Sequence, residues 1–221
     1  MYSKPKNYYI AIAGVMGSGK TTASKILSKE LGLPLLEERP QDNPFLELFY
    51  GDMERWGLHS QLSFDLMKIR QNIRAQRMLA RTSVIHDGPL GQNRIYNETN
   101  RQLGNIKENE YRLISKVIKL YEPYTILPNP LIFLDAPLDL ILQRIGGRAR
   151  HYEQKVPRDY VATLLKFQKN WIAKYPKDKK IVISVDKVDL KEKRHRDAFV
   201  KMVREAISGR NSQNLSSATL L

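Results

Sequence analysis

The chain has 221 residues, of which 42% are hydrophobic, enough to bury one sizeable core, so a single domain over 1–208 is expected rather than two. The lack of cysteine excludes disulfides and thiolate metal sites and suits a reducing, cytoplasmic setting, and the apolar run 8–16 is too short to span a membrane. The formal net charge of +14, much of it between Arg144 and Arg210, would attract polyanions. Because the basic residues fall on amphipathic stretches without interleaved exposed aromatics, a solvated basic face with phosphate-handling arginines is expected rather than a nucleic-acid surface.

Strand-like and helix-like periodicities alternate along the chain. Strands are predicted at 8–13, 34–37, 83–86, 131–134 and 180–184, and helices at 22–31, 54–80, 107–121, 138–145, 158–175 and 191–208. Pro128 and Pro130 interrupt the chain before the fourth strand, and Pro176 closes the helix before the fifth. This alternation implies an α/β fold, a five-stranded parallel sheet with helices on both faces. Residues 209–221 are polar and Ser/Asn-rich and read as a frayed C-terminal tail.

The first strand runs into Gly14-Val15-Met16-Gly17-Ser18-Gly19-Lys20-Thr21, which fits the phosphate-loop pattern G-x-x-x-x-G-K-[S/T]. In that context Gly14, Gly17 and Gly19 let backbone N–H groups of the loop, those of Met16 and Ser18 among them, turn toward the β- and γ-phosphates. Lys20 adds a charge there, and the Thr21 hydroxyl can ligate Mg²⁺. The helix that follows, with Thr22 in its first turn, points its positive end at the same anion. A phosphate-loop NTPase fold that binds ATP with Mg²⁺ is therefore expected. Ligands of such sheets lie across the carboxyl ends of the strands. Three acids fall there: Glu38 after the second strand, Asp87 after the third and Asp135 after the fourth.

The run 38–50, with Glu38 ahead of Asn43-Pro44-Phe45-Leu46 and Tyr50, followed by Trp56 and Gln61, resembles the deoxynucleoside kinase family. Leu131 to Asp135 resembles that family's fourth strand, and Arg144 to Glu153 its R-x-x-x-R-x-R-x-x-E lid. The likeness covers about 8–184 and implies transfer of the γ-phosphoryl of ATP to the 5′-hydroxyl of a deoxynucleoside, with purines favoured through the resemblance of Asn43-Pro44-Phe45-Leu46 to bacterial deoxyadenosine and deoxyguanosine kinases. By the same resemblance Glu38 is the general base, Tyr50 and Glu153 bind the 3′-hydroxyl, and Gln61 pairs with the base edge. Arg144, Arg148 and Arg150 form a phosphate-clamping lid, about 144–157, with Lys20, Asp87 and Arg150 stabilising charge. Phe64, like Trp56, belongs either to the pocket wall or to the core. A homodimer formed through helices is also implied, although the apolar stripe of 106–121 would equally serve to pack against the sheet.

One departure stands out. Where the family carries Asp/Glu-Arg-Ser, this chain has Asp87-Gly88-Pro89, so an arginine is missing beside the base. Lys68 and Arg70, on the helix expected to face the nucleoside, and Arg94 downstream are the candidate replacements; Arg39 is a weaker one. The chain then reads as a rewired kinase, a kinase with an unusual acceptor such as a nucleoside monophosphate, or a nucleotide-binding relative without turnover.

Overall fold

The structure, a computed structural model, describes residues 7–147 and 150–208. The expected tail and Arg148 lie outside them. Five strands, β1 (Tyr9–Ala13), β2 (Leu35–Leu36), β3 (Val84–Asp87), β4 (Leu131–Asp135) and β5 (Lys180–Ser184), form one parallel sheet in the order β2-β3-β1-β4-β5. The central strand β1 is buried at every position, as expected of a parallel strand covered on both faces. Its side chains divide by parity. Ile10 and Ile12 pack in the main core with Leu27 and Phe199, whereas Ala11 and Ala13 pack with Leu131, Phe133, Ile172 and Tyr175. Helices therefore cover both sides.

Six helices occupy the expected places within a residue or two: α1 (Lys20–Leu31), α3 (Met53–Leu79), α5 (Glu108–Tyr121), α6 (Leu138–Gly146), α7 (Arg158–Lys174) and α8 (Lys193–Ser208). Two more were not anticipated. The short α2 (Leu46–Gly51) lies within the run 38–50, and α4 (Leu90–Gln102) follows Asp87-Gly88-Pro89. Helix α4 escapes a search for apolar periodicity because its buried face is largely amide and hydroxyl: Gln92, Asn93, Asn97, Thr99 and Asn100 are all buried. Pro89 at its N-cap starts it in an extended conformation that leads straight into the first turn. The apolar stripe of α5 packs not on the sheet but with Leu58 of α3, through Ile114 and Ile118 together with Ile106. It leaves Leu113 and Leu120 exposed. Among the described residues no helix is long and apolar enough to cross a membrane.

Candidate active site

The loop between β1 and α1 takes the shape its sequence requires. Gly14, Gly17 and Gly19 have φ of 152°, 85° and 99°, left-handed or near-extended conformations that suit glycine. A side chain at Gly14 would also collide with Ser18 Oγ, 2.4 Å from the added Cβ. Gln92 of α4 grips this turn from the side: Gly14 N–H donates to Oε1 at 3.1 Å, and Nε2 donates to the Gly14 carbonyl at 2.9 Å. Sequence reading missed this clamp. Lys20 is buried, and its ammonium reaches the Val15 carbonyl at 3.2 Å across the loop. The Thr21 hydroxyl donates to Asp87 Oδ2 at 2.7 Å.

Next to the loop opens a pocket lined by Gly17, Gly19, Lys20, Thr21, Glu38, Tyr50, Gln61, Phe64, Arg150 and Glu153. Residues expected from four separate stretches of sequence thus meet in one cavity beside the phosphate loop. Phe64 is settled as pocket wall. Trp56 instead stacks on Phe45, with ring centroids 5.9 Å apart. Further lining residues were not foreseen, among them Phe49, Asn93, Tyr96 and Tyr160. Asn93 and Tyr96 come from the helix that hydrophobic patterning could not see.

The space beside Glu38 explains the absent arginine. Gly88 has φ 71°, and a Cβ there would lie 3.0 Å from Lys68 Nζ and 3.1 Å from Glu38 Oε2. Lys68, its side chain 3% exposed, lies 3.5 Å from Glu38 Oε1 and donates to the Asp87 main-chain carbonyl at 3.0 Å. Glycine at 88 and lysine at 68 are therefore two halves of one arrangement: the ammonium fills the volume that a side chain on residue 88 would need. Of the other candidate cations, Arg70 is a correction. It is exposed, because two residues along a helix turn a side chain by about 200°, so burying Lys68 points Arg70 at solvent. Arg94 is half-exposed and pairs with Glu122 at 3.0 Å.

Electrostatics follow burial. Loss of solvent pushes the Asp87 carboxyl above the ordinary carboxylate value; the Lys20 charge opposes this and the Glu38 charge adds to it. Asp87 Oδ1 is buried with no hydrogen-bond partner among the described residues. Burial also raises the Tyr50 phenol well above its usual range, so it stays protonated and able to donate. Tyr50 stacks on Tyr152 at 5.9 Å and 15°, and its hydroxyl lies 3.7 Å from Met16 Sδ. Across the pocket Glu153, almost fully buried, accepts from Arg150 Nη1 at 2.8 Å.

Two expectations are modified here. Arg150 faces the same pocket as Tyr50 and is held by Glu153, whereas Arg144 lies against the phosphate loop, donating to the Ser18 carbonyl at 3.3 Å. The two arginines thus address different parts of the site. Arg144 and Thr22 line an adjoining cleft with Gly17, Ser18 and Gly19. Asp135 does not join Glu38 and Asp87; it is 3.3 Å from Lys169 of α7.

A parallel sheet with a phosphate loop at the carboxyl end of its central strand, and an acid and a buried lysine over a neighbouring pocket, defines a phosphate-loop phosphotransferase. More narrowly, the chain belongs to the deoxynucleoside kinase family, whose sequence model matches residues 10–208. It is 29% identical over 191 residues to the deoxyadenosine/deoxycytidine kinase of Bacillus subtilis (strain 168), covering 84% of this chain and 86% of that one. The same organism's deoxyguanosine kinase is 31% identical over 159 residues, 71% of this chain and 74% of its own. Among solved structures, the M. mycoides deoxyadenosine kinase with bound dATP superposes with a TM-score of 0.75 at 23% identity, covering 91% of this chain and all, 100%, of that one. Its form with the products dCMP and a flexible dCDP gives 0.74 at 24%, covering 91% and 99%. The chain is thus a deoxynucleoside kinase, an enzyme of the phosphotransferase class.

Proposed function

We propose that the enzyme transfers the γ-phosphoryl of ATP·Mg²⁺ to the 5′-hydroxyl of a 2′-deoxynucleoside, with purines favoured. The observation that carries this reading is that Glu38 lines one pocket together with Lys20 and Thr21 of the phosphate loop and with Tyr50, Gln61 and Glu153. A carboxylate so placed can take the proton from a 5′-hydroxyl as it attacks a phosphate seated on the loop, a role typically worth about 10²- to 10⁴-fold in rate. Lys68 holds that carboxylate in place and supplies the positive charge that Gly88 cannot. Lys20 and Arg144 stabilise charge on the transferring group, with Arg148 as a further lid arginine. The Tyr50 hydroxyl and Glu153 bind the 3′-hydroxyl, and the stacked Tyr50 and Tyr152 rings leave little room for a 2′-hydroxyl.

Hard oxygen ligands suit Mg²⁺, and the Thr21 hydroxyl with the buried, half-satisfied Asp87 carboxylate provides them. Those two residues would hold the ion, which supplies charge neutralisation on the ATP phosphates.

The working unit is one kinase domain over 1–208, with 144–157 closing over the nucleotide. It acts as a homodimer and without nucleic acid, in the cytoplasm, where salvaged deoxynucleosides meet ATP. The exposed Leu113, Leu120, Tyr124 and Leu127 supply an apolar surface for association. A monophosphate acceptor is less well supported, because Arg150, which lines the pocket, is engaged by Glu153, and Lys68 beside Glu38 is engaged by that residue. The test is product formation across deoxynucleosides, ribonucleosides and nucleoside monophosphates at fixed ATP·Mg²⁺, for wild type and Lys20→Ala. Lys20-dependent phosphorylation of deoxynucleosides, purines first, is expected. A monophosphate as best acceptor, or no turnover of any nucleoside, overturns the proposal.

A further inference from the structure

Behind the part of the pocket wall formed by Gln61 and Asn93 lies a carboxylate that solvent does not reach. Asp65 of α3 is fully buried; Oδ1 accepts from the Asn93 amide and Oδ2 from the Asn97 amide at 2.9 Å. Asn93 and Asn97 are four residues apart on α4 and so share a face. An ionised carboxylate accepts hydrogen bonds and cannot donate them, so each asparagine must turn its NH₂ group toward Asp65. The Asn93 amide is thereby fixed. Its nitrogen is committed to Asp65, and its carbonyl oxygen remains as the polar atom that this pocket-lining residue offers to a ligand.

Gln61, beside it, is under no such constraint. Its side chain is buried, and Oε1 has no hydrogen-bond partner among the described residues. An amide held by nothing can present either its donor or its acceptor, whereas Asn93 can present only an acceptor.

We infer that Asp65, acting through Asn93, makes one edge of the base site an obligate hydrogen-bond acceptor and so selects bases carrying an exocyclic amino group, adenine and cytosine, over their oxo counterparts. Asp65 is a positioning residue in this scheme; Asn93 makes the contact. An oxo group in the same place would set two acceptors against each other, the kind of mismatch by which buried polar groups discriminate most strongly. The selection is blind to ring size. It therefore cuts across a purine preference and makes deoxyadenosine the substrate that satisfies both.

The inference rests on the deoxynucleoside kinase reading, and the test separates the two. 2′-Deoxyadenosine is compared with 2′-deoxyinosine, and 2′-deoxycytidine with 2′-deoxyuridine, pairs that differ only at the edge in question. In the wild type, kcat/KM should favour the amino member of each pair by about tenfold or more. In Asp65→Asn the residue at 65 offers both donor and acceptor, so Asn93 can turn and both ratios should fall toward one. A merely structural role for Asp65 would lower both members equally and leave the ratios unchanged. Asn93→Ala should abolish the ratios even if the Asp65 variant does not fold. Wild-type ratios near one, or ratios that survive both substitutions, overturn the inference while leaving the kinase reading intact. If no nucleoside in either pair yields product, that reading fails and the inference falls with it.

Discussion

Replacing Lys68 with methionine keeps the length of the side chain and removes its charge. At the 3.5 Å separation from Glu38, the bare attraction at an effective dielectric of about 20 is about 5 kcal/mol. Part of this is offset by the cost of burying an ammonium that is only 3% exposed. Glu38 keeps 22% of its side chain in solvent, so it can recover hydration once the lysine is gone. A net loss of about 2 to 3 kcal/mol of stability is expected, somewhat less than the ~3 to 5 kcal/mol that breaking a fully buried pair costs. Catalysis should suffer more, because Lys68 holds both the proton acceptor and the backbone of Asp87. A fall of about 10²- to 10³-fold in kcat/KM for the deoxynucleoside is expected, the size seen when one preorganised electrostatic group is removed. The companion variant Gly88→Ala approaches the same arrangement from the other side. Its Cβ would lie 3.0 Å from Lys68 Nζ in a backbone of φ 71°, so it should displace the ammonium and also carry about 1 to 2 kcal/mol of left-handed backbone strain. Steady-state kinetics with denaturant melts would measure both. A Lys68→Met enzyme with kcat/KM within about threefold of wild type would show that the lysine does not stand in for an arginine at residue 88.

Glu38→Gln keeps the shape of the proposed base and removes its basicity, so kcat should fall by about 10²-fold or more while ATP affinity changes little; wild-type turnover at saturating substrate would move the proton transfer to Asp87. Burial lifts the Asp65 carboxyl from 3.8 to about 6, against the opposing pull of the Asn93 and Asn97 amides and the Arg94 charge. The folded protein therefore holds this proton more tightly than the unfolded chain does. Asp65 stabilises the fold below its unfolded pKa, and that contribution, at most about 3 kcal/mol, is lost as pH rises through about 6. Asp65→Asn does not titrate, so its melting temperature relative to wild type should climb by several degrees between about pH 4 and pH 6.5 and then level off; a difference that is flat across that window refutes the assignment.

The sequence determined what depends on neighbours along the chain. A buried β-rich run leading into Gly14 to Thr21 reads as a phosphate loop on a strand–helix turn, and the alternation of strand and helix periods pointed to a parallel sheet with its site at the strand ends. Glu38, Tyr50 and Gln61 were legible through the resemblance of their stretches to deoxynucleoside kinases, and they meet in one pocket with Phe64, whose place the sequence left open between wall and core. Helix α4 was not legible, because a face that buries Gln92, Asn93, Asn97 and Asn100 carries no hydrophobic signal; those amides are tolerated inside only because Gly14 and Asp65 satisfy some of their hydrogen bonds from elements far away in sequence. Nor could sequence choose among Lys68, Arg70 and Arg94 for the missing positive charge. That choice belongs to tertiary structure: the rotation of α3 buries Lys68 and exposes Arg70, Arg94 is drawn off to Glu122, and the absence of a Cβ at Gly88 leaves room beside Glu38 for the Lys68 ammonium.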